Sequence, residues 1–228
     1  MANVIKLRKG LDVNLKGKAA KEEFQVKKPA VYALMPDDFT GMKPKVVVKE
    51  NDVVKVGDSL FVDKNHPEIK FVSPVSGRVT MVERGDRRKV LSVRVEADAE
   101  QQYVDFGKKN VGQMTAQEVK NLLLESGLFG FFRQRPYDVT ANPSDTPKAI
   151  FVSAFNSMPL AADFEYVLRG READFQAGLD ALAKMAKTYL GVSSKQTATA
   201  LTAAKNVEIN FFDGPAPAGN VGVQINHI

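Results

Sequence analysis

An aromatic and basic cluster follows the first predicted helix of this chain. The segment reads SGLFGFFRQRPYD and combines three phenylalanines with two arginines, Phe129, Phe131, Phe132, Arg133 and Arg135. Aromatic rings beside fixed cations can clamp a flat, partly polar ring such as a quinone or a flavin, and they also anchor protein–protein contacts. In the structural alternative, which is favoured, the phenylalanines fill an interdomain core and the arginines pair with carboxylates. These five residues are the candidate contact for a quinone or a partner.

Composition removes several other chemistries. The chain has no cysteine, which excludes disulfides, thiolate nucleophiles and cysteine-ligated zinc or iron–sulfur clusters. Its two histidines, His66 and His227, are too few for a histidine-based metal site. We therefore predict no metal ligands.

A glycine pair late in the chain has the spacing of a phosphate-binding loop. Gly214 and Gly219 lie in DGPAPAGNVG, but Asn220 and Val221 stand where Lys and Ser or Thr are needed to reach phosphates and magnesium. The motif therefore fails on its chemistry, and the segment is predicted to be an irregular connection rather than a nucleotide site.

The stretch VVKVGDSLFVDKNHPEIKFVSPVSGRV, from Val53 to Val79, is typical of the small β-domains that carry lipoyl or biotinyl groups. The decisive residue of a carrier is a lysine at a hairpin tip. Counting back eight residues from Pro74 gives His66, and Lys64 lies close to Pro67, which would disturb a tight tip. A scaffold is favoured, and a carrier domain remains an alternative.

Positive charge is concentrated at one end of the chain. The net charge is +5, and Met1–Lys28 alone holds eight Lys or Arg against three Asp or Glu. Such a segment can meet anionic lipid, nucleic acid or an acidic partner, or it can be a solvated strand face formed by Lys6, Arg8, Lys16 and Lys18. The solvated face is favoured, and a basic nucleic-acid-binding adaptor remains an alternative.

Short apolar runs separated by glycine and aspartate turns predict strands through the first third of the chain. The runs begin at Val31, Val46, Ser59, Lys70, Arg78 and Lys89, and the Arg-Gly-Asp triplet 84–86 falls in a turn. From Thr115 onward, the apolar residues recur with the spacing of a helix. Unbroken apolar runs then alternate with helices, which favours a parallel sheet covered by helices.

The fold predicted for 228 residues is therefore two domains. Residues 1–108, with the basic segment 1–28, form a β-rich barrel-sandwich domain of the biotinyl or lipoyl type. Residues 109–228 form a Rossmann-like parallel α/β domain, expected to be truncated at its C-terminal end. Ligands of open α/β sheets lie beyond the carboxyl ends of the strands, so the loops after Phe155 and Phe212 are where chemistry is expected.

Long motifs distributed along the chain carry a family resemblance. They are KGLD (9–12), the stretch from Phe39 to Thr80, ERGDRRKVLSV (83–93), SGLFGFFRQRPYD (126–138) and IFVSAFNSMPLAADFEYVL (150–168). In these segments the chain resembles the A subunits of the Na⁺-translocating NADH:quinone oxidoreductases (Na⁺-NQR). It is also distantly similar to the NADH-binding subunit of respiratory complex I and to the C subunit of the Rnf complex.

The resemblance implies a module that has lost its redox cofactors. In the distant relatives a glycine-rich flavin cradle follows this helix, whereas here only Gly127 and Gly130 remain, followed by bulky Phe131 and Phe132. A phosphate cradle needs unobstructed backbone amides. We expect no FMN, no iron–sulfur cluster and no covalent cofactor in this chain, while the complex uses NADH and a quinone contact is a candidate role.

The resemblance also implies a cellular setting. The chain lacks the apolar core of a signal peptide and has no run of about 20 apolar residues that could cross a bilayer. A peripheral subunit on the cytoplasmic side of the bacterial inner membrane is expected, with the other subunits, including integral membrane ones, as partners and no nucleic acid. Members of the family are about twice as long, so we expect an N-terminal fragment that lacks turnover in isolation.

Overall fold

The computed structural model describes residues 4–17 and 19–228. Its contacts form two compact units, neither of which is continuous in sequence. The barrel unit comprises Gln25–Lys109 and Gln117–Thr146, and the α/β unit comprises the residues up to Phe24, Asn110–Ala116 and Pro147–Ile228. These units group the N-terminal segment with the α/β unit and most of the first helix with the barrel unit. The domain boundary after residue 108 stays a prediction from the sequence.

The elements lie in the following order. The strands before the first helix are β1 (Val4–Lys6), β2 (Val31–Leu34), β3 (Pro44–Val46), β4 (Val53–Val54), β5 (Ser59–Asp63), β6 (Lys70–Val72), β7 (Gly77–Arg84) and β8 (Val90–Ala97). Then come α1 (Ala116–Glu125), β9 (Arg133–Gln134), β10 (Val139–Thr140), β11 (Ile150–Ala154), α2 (Phe164–Leu168), α3 (Glu172–Met185), β12 (Thr188–Ser193), α4 (Thr199–Thr202), β13 (Glu208–Asp213) and α5 (Val221–Ile225).

The two larger sheets of the barrel unit are antiparallel and form where the apolar alternation predicts strands. One sheet has the order β2-β8-β7-β4 and the other β3-β5-β6. The sequence SLFV places Leu60, Phe61 and Val62 in the core, and the rings of Phe61 and Phe71 stack with centroids 5.1 Å apart. Burial of these large apolar side chains supplies most of the stability of such a small β-structure. The Arg-Gly-Asp triplet lies where β7 turns into β8.

A four-stranded parallel sheet of order β1-β13-β12-β11 forms the centre of the α/β unit. Its apolar core joins Leu190 and Val192 of β12 to Leu179 of α3 and Leu201 of α4. The predicted parallel sheet is confirmed. The apolar face of α3 covers this sheet, since Phe175 and Leu179 both pack into the core.

The N-terminal strand and the C-terminal helix differ from the sequence-based expectation. β1 pairs in parallel with β13, so the basic N-terminal segment begins as an edge strand of the α/β sheet. Lys6, Arg8 and Lys16 are exposed, whereas Lys18 and residues 1–3 lie outside the described residues. The segment DGPAPAGNVG, predicted to be an irregular connection, leads into α5, and Asn220 caps this helix by accepting a hydrogen bond from the Gly222 amide at 2.8 Å.

Candidate functional site

The aromatic and basic cluster belongs to the barrel unit and follows α1 directly. Gly127 ends the helix with φ +77°, a left-handed conformation that favours glycine. A Cβ at Gly127 would lie 2.6 Å from Cγ1 of Val72, and one at Gly130 would lie 2.8 Å from the ring of Phe71. The two glycines therefore allow the chain to approach β6 closely. This packing requirement explains both residues without a flavin cradle.

The three phenylalanines have different environments. Phe129 is 5% exposed and belongs to the barrel core, and Phe132 packs against it with ring centroids 5.4 Å apart. Phe131 is 68% exposed, and its ring meets only the edge of Phe39 at a centroid distance of 5.8 Å among the aromatic contacts of the described residues. The sequence groups these residues as one cluster, whereas in the structure Phe129 is a core residue, Phe132 is half-buried against the core and Phe131 lies at the surface.

A shared carboxylate orders the two arginines. Arg133 Nε donates to Oδ1 of Asp138 at 3.2 Å, and Arg135 Nη2 lies 3.7 Å from the same oxygen. The hydrogen bond from Arg133 lowers the pKa of Asp138 below its ordinary value, and the charge of Arg135 acts in the same direction. Both guanidinium groups remain partly exposed, so each keeps free N–H donors while its position is restrained.

A short hairpin carries these charges. β9 and β10 pair antiparallel with Gln134 opposite Val139, and the Asp138 amide closes the turn by donating to the Gln134 carbonyl at 2.8 Å. The Thr140 amide donates to the Thr40 carbonyl at 2.8 Å, which fixes the hairpin to the barrel. Tyr137 at the tip is 77% exposed.

We call the exposed part of this region the hairpin surface and define it as Phe131, Arg133, Arg135 and Tyr137. Exposed aromatic rings next to restrained arginines are the residue types that dominate the energetics of protein interfaces. The same groups can offer a ring face and N–H donors to a flat carbonyl compound. Sequence reasoning missed Tyr137, although its place in an Arg-Pro-Tyr-Asp turn is a signal for exposure.

A second candidate region lies at the carboxyl edge of the parallel sheet, where ligands of this fold bind. The loops after β11, β12 and β13 meet there around an open cleft of about 310 Å³. Its polar lining includes Asp12, Ser157, Lys195 and Asp213, and its apolar lining includes Phe155. The loops expected after Phe155 and Phe212 are therefore brought together, with the N-terminal segment contributing Asp12.

The tip between β5 and β6 has the geometry of a closed loop. The Ile69 amide donates to the His66 carbonyl at 2.9 Å, and buried Asp63 accepts from the Asn65 amide at 3.0 Å. His66 Nδ1 lies 3.7 Å from a Glu68 carboxylate oxygen. The polar residues on either side of Lys64 therefore form contacts within the loop itself.

Two further properties of the described residues bear on the class of protein. Residues 4–17 and 19–228 contain no group of three or more His, Cys, Asp or Glu side chains that could hold a metal ion. None of the helices formed by these residues has the length and apolarity that a membrane crossing requires.

A barrel-sandwich unit and a parallel α/β unit, the former carrying an aromatic and arginine-rich hairpin, define a two-domain protein without cysteine. Two family models match the chain: the NqrA N-terminal barrel-sandwich hybrid domain over residues 5–98 and the NqrA second α/β domain over residues 114–228. The chain belongs to the NqrA family, the A subunits of Na⁺-translocating NADH-quinone reductases.

Curated relatives agree with this assignment. The A subunit of the Na⁺-translocating NADH-quinone reductase of Yersinia pseudotuberculosis is 35% identical over 231 residues, which covers 99% of this chain and 51% of the relative. The A subunit of the Pseudomonas aeruginosa reductase is 33% identical over 228 residues, with the same coverage of both chains. The chain thus spans about half the length of the curated relatives it matches. The carrier and nucleic-acid alternatives are not favoured.

Proposed function

We propose that this chain acts within a Na⁺-translocating NADH:quinone oxidoreductase as an assembly module whose hairpin surface contacts another subunit. Family membership supports the general role, since the relatives are named as subunits of that reductase. The observation that carries the specific role is the exposure of Phe131 and Tyr137 beside two arginines held by Asp138. A free surface with these residue types gains most by burial against a partner.

Several features support an indirect part in electron transfer. The chain has no cysteine for an iron–sulfur cluster, and the positions of Gly127 and Gly130 are occupied by close contacts with β6. Electrons would enter through a flavin-bearing subunit elsewhere and leave on quinone, while the integral subunits move Na⁺. This chain would sit peripherally on the cytoplasmic side and would have no turnover alone.

A quinone contact is the second candidate role of the hairpin surface. Arg133 and Arg135 retain N–H donors beyond their contacts with Asp138, and a quinone carbonyl accepts such hydrogen bonds. The exposed ring of Phe131 would then stack on the quinone. Assembly and quinone contact predict different defects in the same variant.

The test replaces both arginines by alanine in the full-length protein within the complex. The matched control is Arg78→Ala with Arg84→Ala, because each of these arginines donates to a backbone carbonyl of the same unit and the charge change is identical. Loss of co-purifying subunits in the Arg133/Arg135 variant alone supports the assembly role.

An intact complex with a raised KM for quinone assigns the arginines to quinone contact instead. An intact complex with unchanged quinone kinetics shows that the hairpin surface does neither, and the proposal then fails.

A further inference from the structure

A second concave site lies in the α/β unit, between the segment that leaves β1 and the helix α5. It is an open cleft of about 390 Å³. Lys6, Arg8, Lys9 and His227 supply its polar groups, and Ala218 and Val223 contribute to an apolar floor. We call it the basic cleft. It differs from the cleft at the carboxyl edge, which is lined by other residues.

The cations of the basic cleft are not neutralised. Within the described residues, Lys6, Arg8 and Lys9 form no ion pair, and no Asp or Glu lines the cleft. Elsewhere in the same unit, Lys21 pairs with Asp163 and Lys187 with Glu208, each at 2.8 Å. Three like charges that line one cleft repel one another, and a bound anion relieves that repulsion.

The backbone that carries these cations is held in place. Beyond β1, the Leu7 amide donates to the Asp213 carbonyl at 2.8 Å, and the Leu11 amide donates to the Ala216 carbonyl at 2.9 Å. The carboxylate of Asp12 accepts from the Ala216 amide at 2.8 Å. A side chain at Gly10 would collide with the same Ala216 carbonyl. These hydrogen bonds therefore hold the backbone on both sides of Arg8 and Lys9.

The ring of His227 is also oriented. Its Nδ1 lies 2.8 Å from the carbonyl oxygen of Val223, which lies one turn earlier in α5. The other ring nitrogen, Nε2, does not take part in this contact. The apolar floor beneath these groups lowers the local dielectric constant compared with water. The cations of the cleft therefore attract a bound anion more strongly than they would on an open surface. The carboxylates of Asp12 and Asp213 line the other cleft.

The charge and the volume together indicate the ligand. Three cations suit a phosphate better than a single carboxylate, and the guanidinium fork of Arg8 matches phosphate oxygens in a bidentate arrangement. A cavity of this size has room for more than a free phosphate ion, and the apolar floor suits an attached organic group.

We propose that the basic cleft binds the phosphate group of a phosphate ester, either the headgroup of an anionic phospholipid or a soluble ester. Arg8 and Lys9 provide the principal contacts, and Lys6 and His227 complete the rim. This site is independent of the hairpin surface, since the two lie in different units.

The test measures binding to the 228-residue chain with two probes: inorganic phosphate by calorimetry, and phosphatidylcholine vesicles containing phosphatidylglycerol by co-sedimentation. The variant is Arg8→Gln with Lys9→Gln. The matched control, Lys16→Gln with Lys27→Gln, removes the same charge from exposed lysines of the basic segment 1–28 that do not line the cleft. Circular dichroism checks that both variants are folded.

We expect saturable binding that the Arg8/Lys9 variant weakens by at least about tenfold, the factor for loss of one charge-assisted contact. The control should change it less than about twofold, because diffuse charge is screened at physiological salt. This pattern with inorganic phosphate identifies a soluble phosphate site, and the same pattern with vesicles alone identifies a lipid headgroup. Equal weakening in both variants, or no saturable binding to either probe, overturns the proposal and leaves the hairpin surface unaffected.

Discussion

Phe129 and Phe131 are two residues apart, yet they should respond differently to the same substitution. Phe129 is almost completely removed from water in the barrel core, and Phe-to-Ala changes at such positions cost about 3–5 kcal/mol. Phe131 is two-thirds exposed and makes one edge contact with Phe39 at 5.8 Å, a type of pair worth about 0.5–1.5 kcal/mol. The two variants should therefore differ by roughly 2–4 kcal/mol in the free energy of unfolding.

Urea unfolding followed by circular dichroism measures this difference. With a dependence on urea of about 2 kcal/mol per molar, Phe129→Ala should lower the midpoint of the barrel transition by roughly 1.5–2.5 M, and Phe131→Ala by less than about 0.75 M. In the full-length protein, Phe131→Ala should nevertheless weaken association with the rest of the complex. Equal midpoint shifts for the two variants would refute the division of the cluster into core and surface.

Three other predictions follow from local contacts. Gly130→Ala should destabilise the chain by about 1–3 kcal/mol, because its Cβ meets a core ring of β6, whereas Gly178→Ala in open space should be neutral or stabilising in the same thermal scan. The pKa of Asp138, measured by carbon NMR, should lie below the ordinary aspartate value. The pairing of Asp138 with the arginines should therefore stabilise the fold fully at pH values above the ordinary aspartate pKa. This stabilisation should be lost as the pH falls through the lowered pKa. The ion pair with Lys21 lowers the pKa of the Asp163 carboxyl group. Asp163→Asn removes this pair and should speed trypsin cleavage after Lys21. An unchanged cleavage rate would show that the pair does not hold the segment around Lys21.

The spacing of apolar residues and the residues typical of turns predict many of the strands well. The alternation in SLFV and the turns at aspartate and glycine are local signals, and the corresponding strands β5 to β8 form where the apolar runs lie. The unbroken apolar runs that begin at Ala149 and Thr188 likewise predict strands of a parallel sheet, and β11 and β12 form there and pair in parallel. These predictions succeed because each depends on residues adjacent in sequence.

Other features depend on contacts distant in sequence and could not be predicted in this way. β1 is a strand of three residues whose partner lies some 200 residues later, and helices of five residues such as α2 and α5 are too short to show a period. The separation of Phe129 from Phe131 likewise depends on which residues of the barrel they meet. The close approach of Gly127 to Val72 is visible only once β6 is beside it.

The hairpin surface is proposed to contact another subunit of the oxidoreductase, and this contact is the central claim. The most direct measurement places a photoreactive phenylalanine analogue at Phe131 of the full-length protein in the assembled complex and identifies the cross-linked peptides by mass spectrometry. We predict cross-links to a different subunit, with a reduced yield when Arg133 and Arg135 are also replaced. Cross-links confined to this chain, in a complex that is intact and active, would contradict the claim.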